Sequence, residues 1–288
     1  MLRAIKHIIF VSDFFVNEVR GGGELNDWEI ICIFRSQGCV VEQLNSHKVT
    51  AKIIKNKISL GYKFVISNFT RLKEECVDLL TKESEYIIIE HDHKYIKSRN
   101  PMGYPDFKVP EDKIINYDFY KSSKATFCQS SFQTSILEKN LKINNIINLS
   151  GNLWSLEHLK VLEEMSKLEK KELYAIMDYP IDHKNTSDAI KYCRGKGFKY
   201  RLIAPCPPQE FLRKLGECRT LVFFPKSPET LSRVVVEARM MGLKTITTKN
   251  IGAIHEPWFL KKGPDLIDEM RYVKREEIPK KIIGSLYE

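Results

Sequence analysis

Two glutamates stand eight positions apart in the stretch Phe224-Pro225-Lys226-Ser227-Pro228-Glu229-Thr230-Leu231-Ser232-Arg233-Val234-Val235-Val236-Glu237. An apolar run ends at Pro225 and a proline turn follows. The pattern then predicts a helix over 230–241, closed by Gly242, a residue suited to a helix C-cap. Eight residues carry a helix about 80° beyond two full turns, so an acid at the helix mouth and a second one at Glu237 address one cavity. The N–H groups of Thr230, Leu231, Ser232 and Arg233 would open the helix, where an anion such as a diphosphate is favoured.

Three further places offer chemistry. Gly21-Gly22-Gly23-Glu24 directly follows the first apolar run and opens a helical pattern. Glycine lets backbone approach a ligand closely, since it has no Cβ. The spaced GxGxxG of a dinucleotide fold is missing, which disfavours nicotinamide binding. Glu90-His91-Asp92-His93 ends another apolar run. His91 and His93 would face the same way if the strand continued, but two histidines without a third ligand make a poor metal motif. No Asp-x-Asp follows a strand, so no metal is expected. Lys184 stands between a strand pattern and a helix pattern, where its ammonium could meet a phosphate.

These residues need elements to hold them, and short β-branched runs alternate with helical patterns along the chain. Strands are predicted over 6–13, 39–44, 62–67, 86–90, 124–128 and 143–149, then over 172–177, 199–204, 220–224 and 244–248. Helices are predicted over 24–37, 49–58, 72–82, 132–141, 155–170, 185–195, 208–215 and 230–241. Uninterrupted runs such as Ile87-Ile88-Ile89 suit strands buried on both faces of a parallel sheet. Strands and helices at this interval make βαβ units. The expectation is an α/β chain of two Rossmann-like domains, 1–150 on the acceptor side and 151–288 on the nucleotide side, with the boundary at Gly151-Asn152. Ligands bind such sheets at the carboxyl ends of their strands.

The 224–247 segment resembles the donor-binding signature of the retaining GT-B glycosyltransferases of family 4, the glycogen-synthase-like group. That pattern is a proline or serine turn, Glu, seven residues, Glu-Ala, then Gly and a short strand. The resemblance implies two mostly parallel sheets facing across a donor cleft. It also implies metal-independent transfer from a nucleotide diphospho-sugar to a hydroxyl, with no other cofactor. Glu229 would contact the donor sugar, Glu237 the ribose, Gly21–Gly23 the phosphate or sugar, and His91 the sugar. Lys184 matches the family lysine that clasps the diphosphate. The family's Gly-Arg is replaced by Met177-Asp178-Tyr179, and Arg233 could supply that guanidinium instead. A competing class is a non-catalytic nucleotide- or glycan-binding protein on a degenerate form of this fold.

Bulk properties narrow the setting. The chain has 288 residues, 43% hydrophobic and 29% charged, with a formal net charge of +9 and a mean hydropathy of -0.30. That is an ordinary globular composition. The N-terminal apolar run is too short for a signal peptide, and no stretch nears the ~20 apolar residues that cross a bilayer. Cys32, Cys39, Cys76, Cys128, Cys193, Cys206 and Cys218 are scattered and never form CxxC, which suits a reducing cytosol. The positive charge favours an anionic partner, but zinc-finger and RNP-like signatures are missing, so nucleic acid is not expected. Lys48, Lys52, Lys55 and Lys57 decorate a helix whose apolar side is Val49, Ile53, Ile54 and Ile58. That helix offers peripheral contact with an anionic inner membrane face carrying a lipid-linked acceptor. The irregular 95–110 stretch is a candidate acceptor loop.

Overall fold

The structure, a computed structural model, describes residues 5–181 and 184–288; the first four residues of the N-terminal segment lie outside it. The chain divides into two compact units. One runs to Leu153 and takes back Arg275–Glu288; the other is Trp154–Lys274.

The first unit begins β1 (His7–Ser12), α1 (Gly22–Ser36), β2 (Val40–Asn45), α2 (Ala51–Ser59), β3 (Lys63–Ile66) and α3 (Glu74–Glu83). It continues with β4 (Tyr86–Glu90), α4 (Tyr117–Ser122), β5 (Thr126–Cys128), α5 (Ser131–Leu141) and β6 (Ile146–Asn148). The strands form a six-stranded parallel sheet in the order β2-β1-β3-β4-β5-β6. β4 is buried along its whole length. Its alternate side chains feed two cores, Tyr86 and Ile88 on one face, Ile87 and Ile89 on the other, as the strand period of two requires. Thr50 and Ser130 cap α2 and α5, their hydroxyls accepting from Ile53 N and Gln133 N.

Helix α2 spends its apolar side on this fold. Val49 and Ile54 are buried in the first of those cores and Ile58 packs against it. Lys57 donates to Glu42 at 2.5 Å, which leaves Lys48, Lys52 and Lys55 as exposed cations. Between β4 and α4 the 95–110 stretch is not shapeless: short 3-10 turns occupy Pro101–Gly103 and Pro105–Phe107, and a third, Glu111–Lys113, follows it.

The second unit runs α6 (Leu156–Ser166), β7 (Lys171–Met177), α7 (Thr186–Gly195), β8 (Tyr200–Ile203) and α8 (Pro208–Gly216). It goes on with β9 (Cys218–Phe223), α9 (Arg233–Met240), β10 (Lys244–Thr247) and α10 (Pro264–Asp268). Its four parallel strands are ordered β10-β9-β7-β8. Among the described residues no helix is long and apolar enough to cross a membrane.

The last helix, α11 (Arg275–Tyr287), belongs to the first unit, where the sequence pattern had put 275–288 with the second. Ile278, Ile282 and Leu286 recur every four residues, forming one helical stripe. They are buried in the core that lines Ile8, Phe10, Ile87 and Phe127. Arg275 pairs with Glu29 of α1 at 2.8 Å, and the Tyr287 hydroxyl donates to the His7 carbonyl at 2.8 Å. Periodicity shows that a stripe exists, but not which distant sheet it covers. Replacing Ile282 with Ala should therefore destabilise the first unit by about 3 kcal/mol, which a urea titration would register.

Candidate functional site

Both sheets have a switch point, where chain order reverses between neighbouring strands: β1/β3 in the first unit and β7/β9 in the second. Crevices at the carboxyl ends of such strands receive ligands. The residues singled out by sequence cluster near these ends.

In the second unit Lys184 follows β7. Its neighbours tie it down: the Thr186 hydroxyl donates to the Met177 carbonyl at 2.7 Å, and Asn185 Nδ2 to the Phe224 carbonyl at 2.8 Å. Lys184 is thus pinned to the ends of β7 and β9 together. Its ammonium donates to Glu229 Oε1 at 2.7 Å, both side chains being mostly shielded from solvent, and it lies 5.7 Å from the Phe223 ring centroid. The residues expected at the donor's diphosphate and at its sugar are partners here.

The helix that carries Glu237 is shorter than its pattern. It starts at Arg233, not Thr230, because residues 229–231 bond instead to the segment after β10. Glu229 N donates to the Asn250 carbonyl and Gly252 N to the Glu229 carbonyl, each at 2.8 Å, and Ala253 N donates to the Leu231 carbonyl at 3.1 Å. Glu229 therefore forms a parallel bridge with Ile251. The helical-rotation argument linking the acids does not apply, since only Glu237 is on the helix. Ser232 becomes the N-cap at φ 74, an uncommon conformation for a non-glycine residue, and its buried hydroxyl has no hydrogen-bond partner among the described residues. Of the four N–H groups expected at the helix mouth, those of Ser232 and Arg233 stand there; Thr230 and Leu231 precede it.

Glu237 is buried and engaged. The Trp154 indole N–H donates to its Oε1 at 2.8 Å, His158 Nε2 lies 3.2 Å away and Arg233 Nε 3.7 Å. Burial alone would raise its pKa; His158, Arg233 and Trp154 outweigh that and hold the carboxyl below its ordinary value. Arg233 also stacks over Trp154, 4.3 Å from the ring. At Met177-Asp178-Tyr179, Met177 is buried, Asp178 is exposed and Tyr179 packs on the core, so those three positions supply no guanidinium.

In the first unit, the glycine run is the N-terminus of α1, with Gly21 as N-cap and Gly22 and Gly23 in the first turn. Close approach matters most at Gly23, where a Cβ would come within 3.2 Å of the His91 ring. That ring is held on both sides. Gln129 Nε2 lies 2.7 Å from Nδ1, and Asp27 Oδ1 lies 2.8 Å from Nε2. Asp27 Oδ2 in turn accepts from Ser67 Oγ at 2.5 Å. A donating Gln129 amide makes Nδ1 the acceptor and leaves the proton on Nε2, facing Asp27. Burial works against a charged ring, yet the Asp27 carboxylate raises the His91 pKa above its ordinary value. His93 does not face the same way: its Nδ1 meets the Tyr95 hydroxyl at 3.1 Å. β4 ends at Glu90, so strand alternation no longer governs the two histidines. Among the described residues no three His, Cys, Asp or Glu side chains converge on a common point.

A second network went unread in the sequence. Glu90, wholly buried, bonds Lys94 and Tyr120, while Lys94 also bonds Asp92 at 3.0 Å and Arg99 clasps Asp92. Burial would discharge Lys94, but Asp92 and Glu90 keep its pKa above the ordinary one. At the end of β1, Asp13 accepts from the Ser46 hydroxyl, from Thr70 N at 3.0 Å and from Arg71 N at 3.1 Å. Those bonds hold it ionised against the cost of burial. The only sequence signal for these partners was polarity at predicted strand ends.

Compared with solved structures, the whole chain finds counterparts. Over 98% of this chain and 93% of the other, it matches a glycosyltransferase from Rickettsia africae at TM-score 0.55 and 13% identity. The catalytic domain of starch synthase IV from Arabidopsis thaliana, bound to ADP and acarbose, matches 98% of this chain over 95% of its own, at TM-score 0.56 and 9% identity. Anabaena HepE in complex with UDP and glucose matches 97% over 94%, at TM-score 0.52 and 10% identity. The fold is GT-B. No protein-family model and no characterised protein sequence matches the chain, so the likeness lies in backbone architecture.

His93 gives this GT-B chain a measurable acid sensitivity. It is 3% exposed, and its Nε2 lacks a hydrogen-bond partner among the described residues. Burial pushes its pKa down to about 4 from an ordinary 6.5. Between those values the unfolded chain holds a proton that the folded chain does not, so stability falls as pH drops through that window. The full loss is on the order of 3 kcal/mol. His93→Gln should flatten that part of the pH dependence relative to wild type, as read from urea midpoints across the same window.

Proposed function

We propose that the protein is a glycosyltransferase that moves a sugar from a nucleotide diphospho-sugar to a hydroxyl of a glycan, lipid-linked or small-molecule acceptor. We read the transfer as retaining and independent of a metal. The observation that carries this is the Lys184–Glu229 ion pair at the switch-point edge of the second sheet, on a GT-B fold whose solved relatives include proteins bound to UDP or ADP. The rate-limiting demand in such a transfer is the negative charge of the departing nucleotide diphosphate. A cation and backbone N–H groups gathered at the strand ends can stabilise it. In this reading a donor diphosphate draws Lys184 away from Glu229 toward itself, helped by the Ser232 and Arg233 N–H groups. Glu229 is then released to accept from sugar hydroxyls.

Glu237, kept ionised by Trp154, His158 and Arg233, is the carboxylate for the ribose. Arg233 is the second cation for the diphosphate, replacing the guanidinium missing at Met177-Asp178-Tyr179. Within the first unit, we read Gly21–Gly23 and His91, the ring fixed by Asp27 and Gln129, as residues suited to a sugar or phosphate. No side chain is placed as a covalent nucleophile. The leaving phosphate would deprotonate the acceptor on the same face, which is the retaining course.

One observation favours a second reading, a non-catalytic nucleotide- or glycan-binding protein. Arg233 is already stacked on Trp154 and held beside Glu237, so the diphosphate can be left with a single cation. A panel of UDP-, GDP-, ADP- and CMP-sugars in a thermal-shift assay separates the two. A matching donor at a hundred times its Kd should stabilise the fold by about 2.7 kcal/mol. Lys184→Ala should weaken that donor by roughly tenfold or more, the worth of a charged hydrogen bond. Glu237→Gln should weaken it too, and wild type should slowly hydrolyse the donor. Donor binding with neither hydrolysis nor transfer selects the binding protein, and a flat panel removes both readings.

A further inference from the structure

The amino-terminal edge of the second sheet is basic from side to side. β10 starts at Lys244, β9 at Cys218-Arg219 and β7 at Lys171 with Lys170 before it, while Lys199 leads into β8. Parallel pairing in the order β10-β9-β7-β8 puts all of these on one edge. Carboxylates offset part of the row, as Arg219 pairs with Glu172 and Lys171 with Glu217 at 3.1 Å. The segment between β10 and α10 adds Lys262. Burial, together with the charges of Arg239, Lys244 and Arg219, pushes the Lys262 ammonium below its ordinary pKa, and Lys170 feels Lys262 as a like charge. Cations crowded closely enough to repel one another are a surface matched to an anionic one.

Beside them stands Leu260, 88% exposed and the most exposed large apolar side chain among the described residues. It is presented rigidly. Trp258, two residues earlier in the same 3-10 turn, is buried in the core. The Arg239 guanidinium donates to the carbonyls of Phe259, Leu260 and Lys261 at 2.8, 3.2 and 2.8 Å. A fixed leucine projecting from a cationic rim suits a surface that is charged outside and apolar just beneath.

We propose that this edge of the second unit is a docking face for an anionic phospholipid bilayer, with Leu260 entering the acyl boundary and the exposed Arg219, Lys244 and Lys262 lying over the headgroups. Leu260 is what favours lipid over nucleic acid, whose phosphates would use the cations and leave the leucine in water. The face lies at the opposite strand ends from Lys184 and Glu229, so docking leaves that site unobstructed. The inference stands apart from the transfer reaction.

The test is co-sedimentation of the full chain with phosphatidylcholine vesicles, with and without phosphatidylglycerol. Binding is expected only with phosphatidylglycerol and should weaken with salt. Leu260→Asp should abolish most of it, and the Lys244→Glu/Lys262→Glu pair should weaken it about fivefold per lost cation or more. Lys52→Glu/Lys55→Glu on α2 should leave it unchanged. All these side chains are exposed, so unchanged melting curves confirm that each variant is folded. The proposal is overturned if the wild type ignores phosphatidylglycerol or if Leu260→Asp binds like wild type. It is also overturned if the α2 pair alone removes binding. Salt-sensitive capture of an oligonucleotide that is indifferent to Leu260, with no vesicle binding, would assign the face to nucleic acid instead.

Discussion

The Asp27–His91 pair is the joint on which the first unit's carboxyl edge depends. Asp27 comes from α1, its second oxygen takes the Ser67 hydroxyl at the end of β3, and His91 closes β4. Gln129, after β5, holds the other face of the ring. Four parts of the fold, α1 and the ends of β3, β4 and β5, therefore meet around the Asp27–His91 pair. Removing one partner of a buried charged contact costs more than the contact itself is worth, because the other is left without its solvation. The constraint reaches back into the sequence at Gly23, since any side chain there meets the ring. A glycine run that looks like a flexible turn is, in the folded chain, a clearance for a histidine.

The second unit is organised on the same principle with different partners. Trp154 donates its indole N–H to Glu237 and supports the Arg233 guanidinium on its face. One residue thereby orients both a carboxylate and a cation. Lys184 and Glu229 are held by backbone: the lysine through Asn185 and Thr186, the glutamate through its bridge to Ile251. Ser232, in a left-handed conformation, is where the chain leaves that bridge and turns into α9. Uncommon backbone of this kind persists where its surroundings over-determine it, and it clusters at ligand sites.

The two strand edges of the second sheet have opposite characters. Polar groups gather at the carboxyl ends through specific pairings, whereas the amino ends carry exposed cations beside a projecting leucine. Parallel strands make this segregation possible, because every strand contributes its start to one edge and its finish to the other.

What the sequence determined by itself is local. Apolar runs and helical spacing located the strands and every helix except α4, α10 and α11, and the α/β class followed from their alternation, because burial on both faces of a parallel sheet leaves a direct mark on composition. The turn, the two acids and Gly242 were legible for the same reason, as residue types at fixed offsets. What tertiary structure decided is which distant groups meet. The start of α9 moved from Thr230 to Arg233 because residues 250–253 claim the backbone before it. The stripe Ile278–Ile282–Leu286 went to the first unit because only the folded sheet offers it a matching face. Asp27, Gln129, Lys94 and Trp154 carried no motif. Each became significant through a partner far off in the chain, and a contact between distant residues has no periodicity from which to be read.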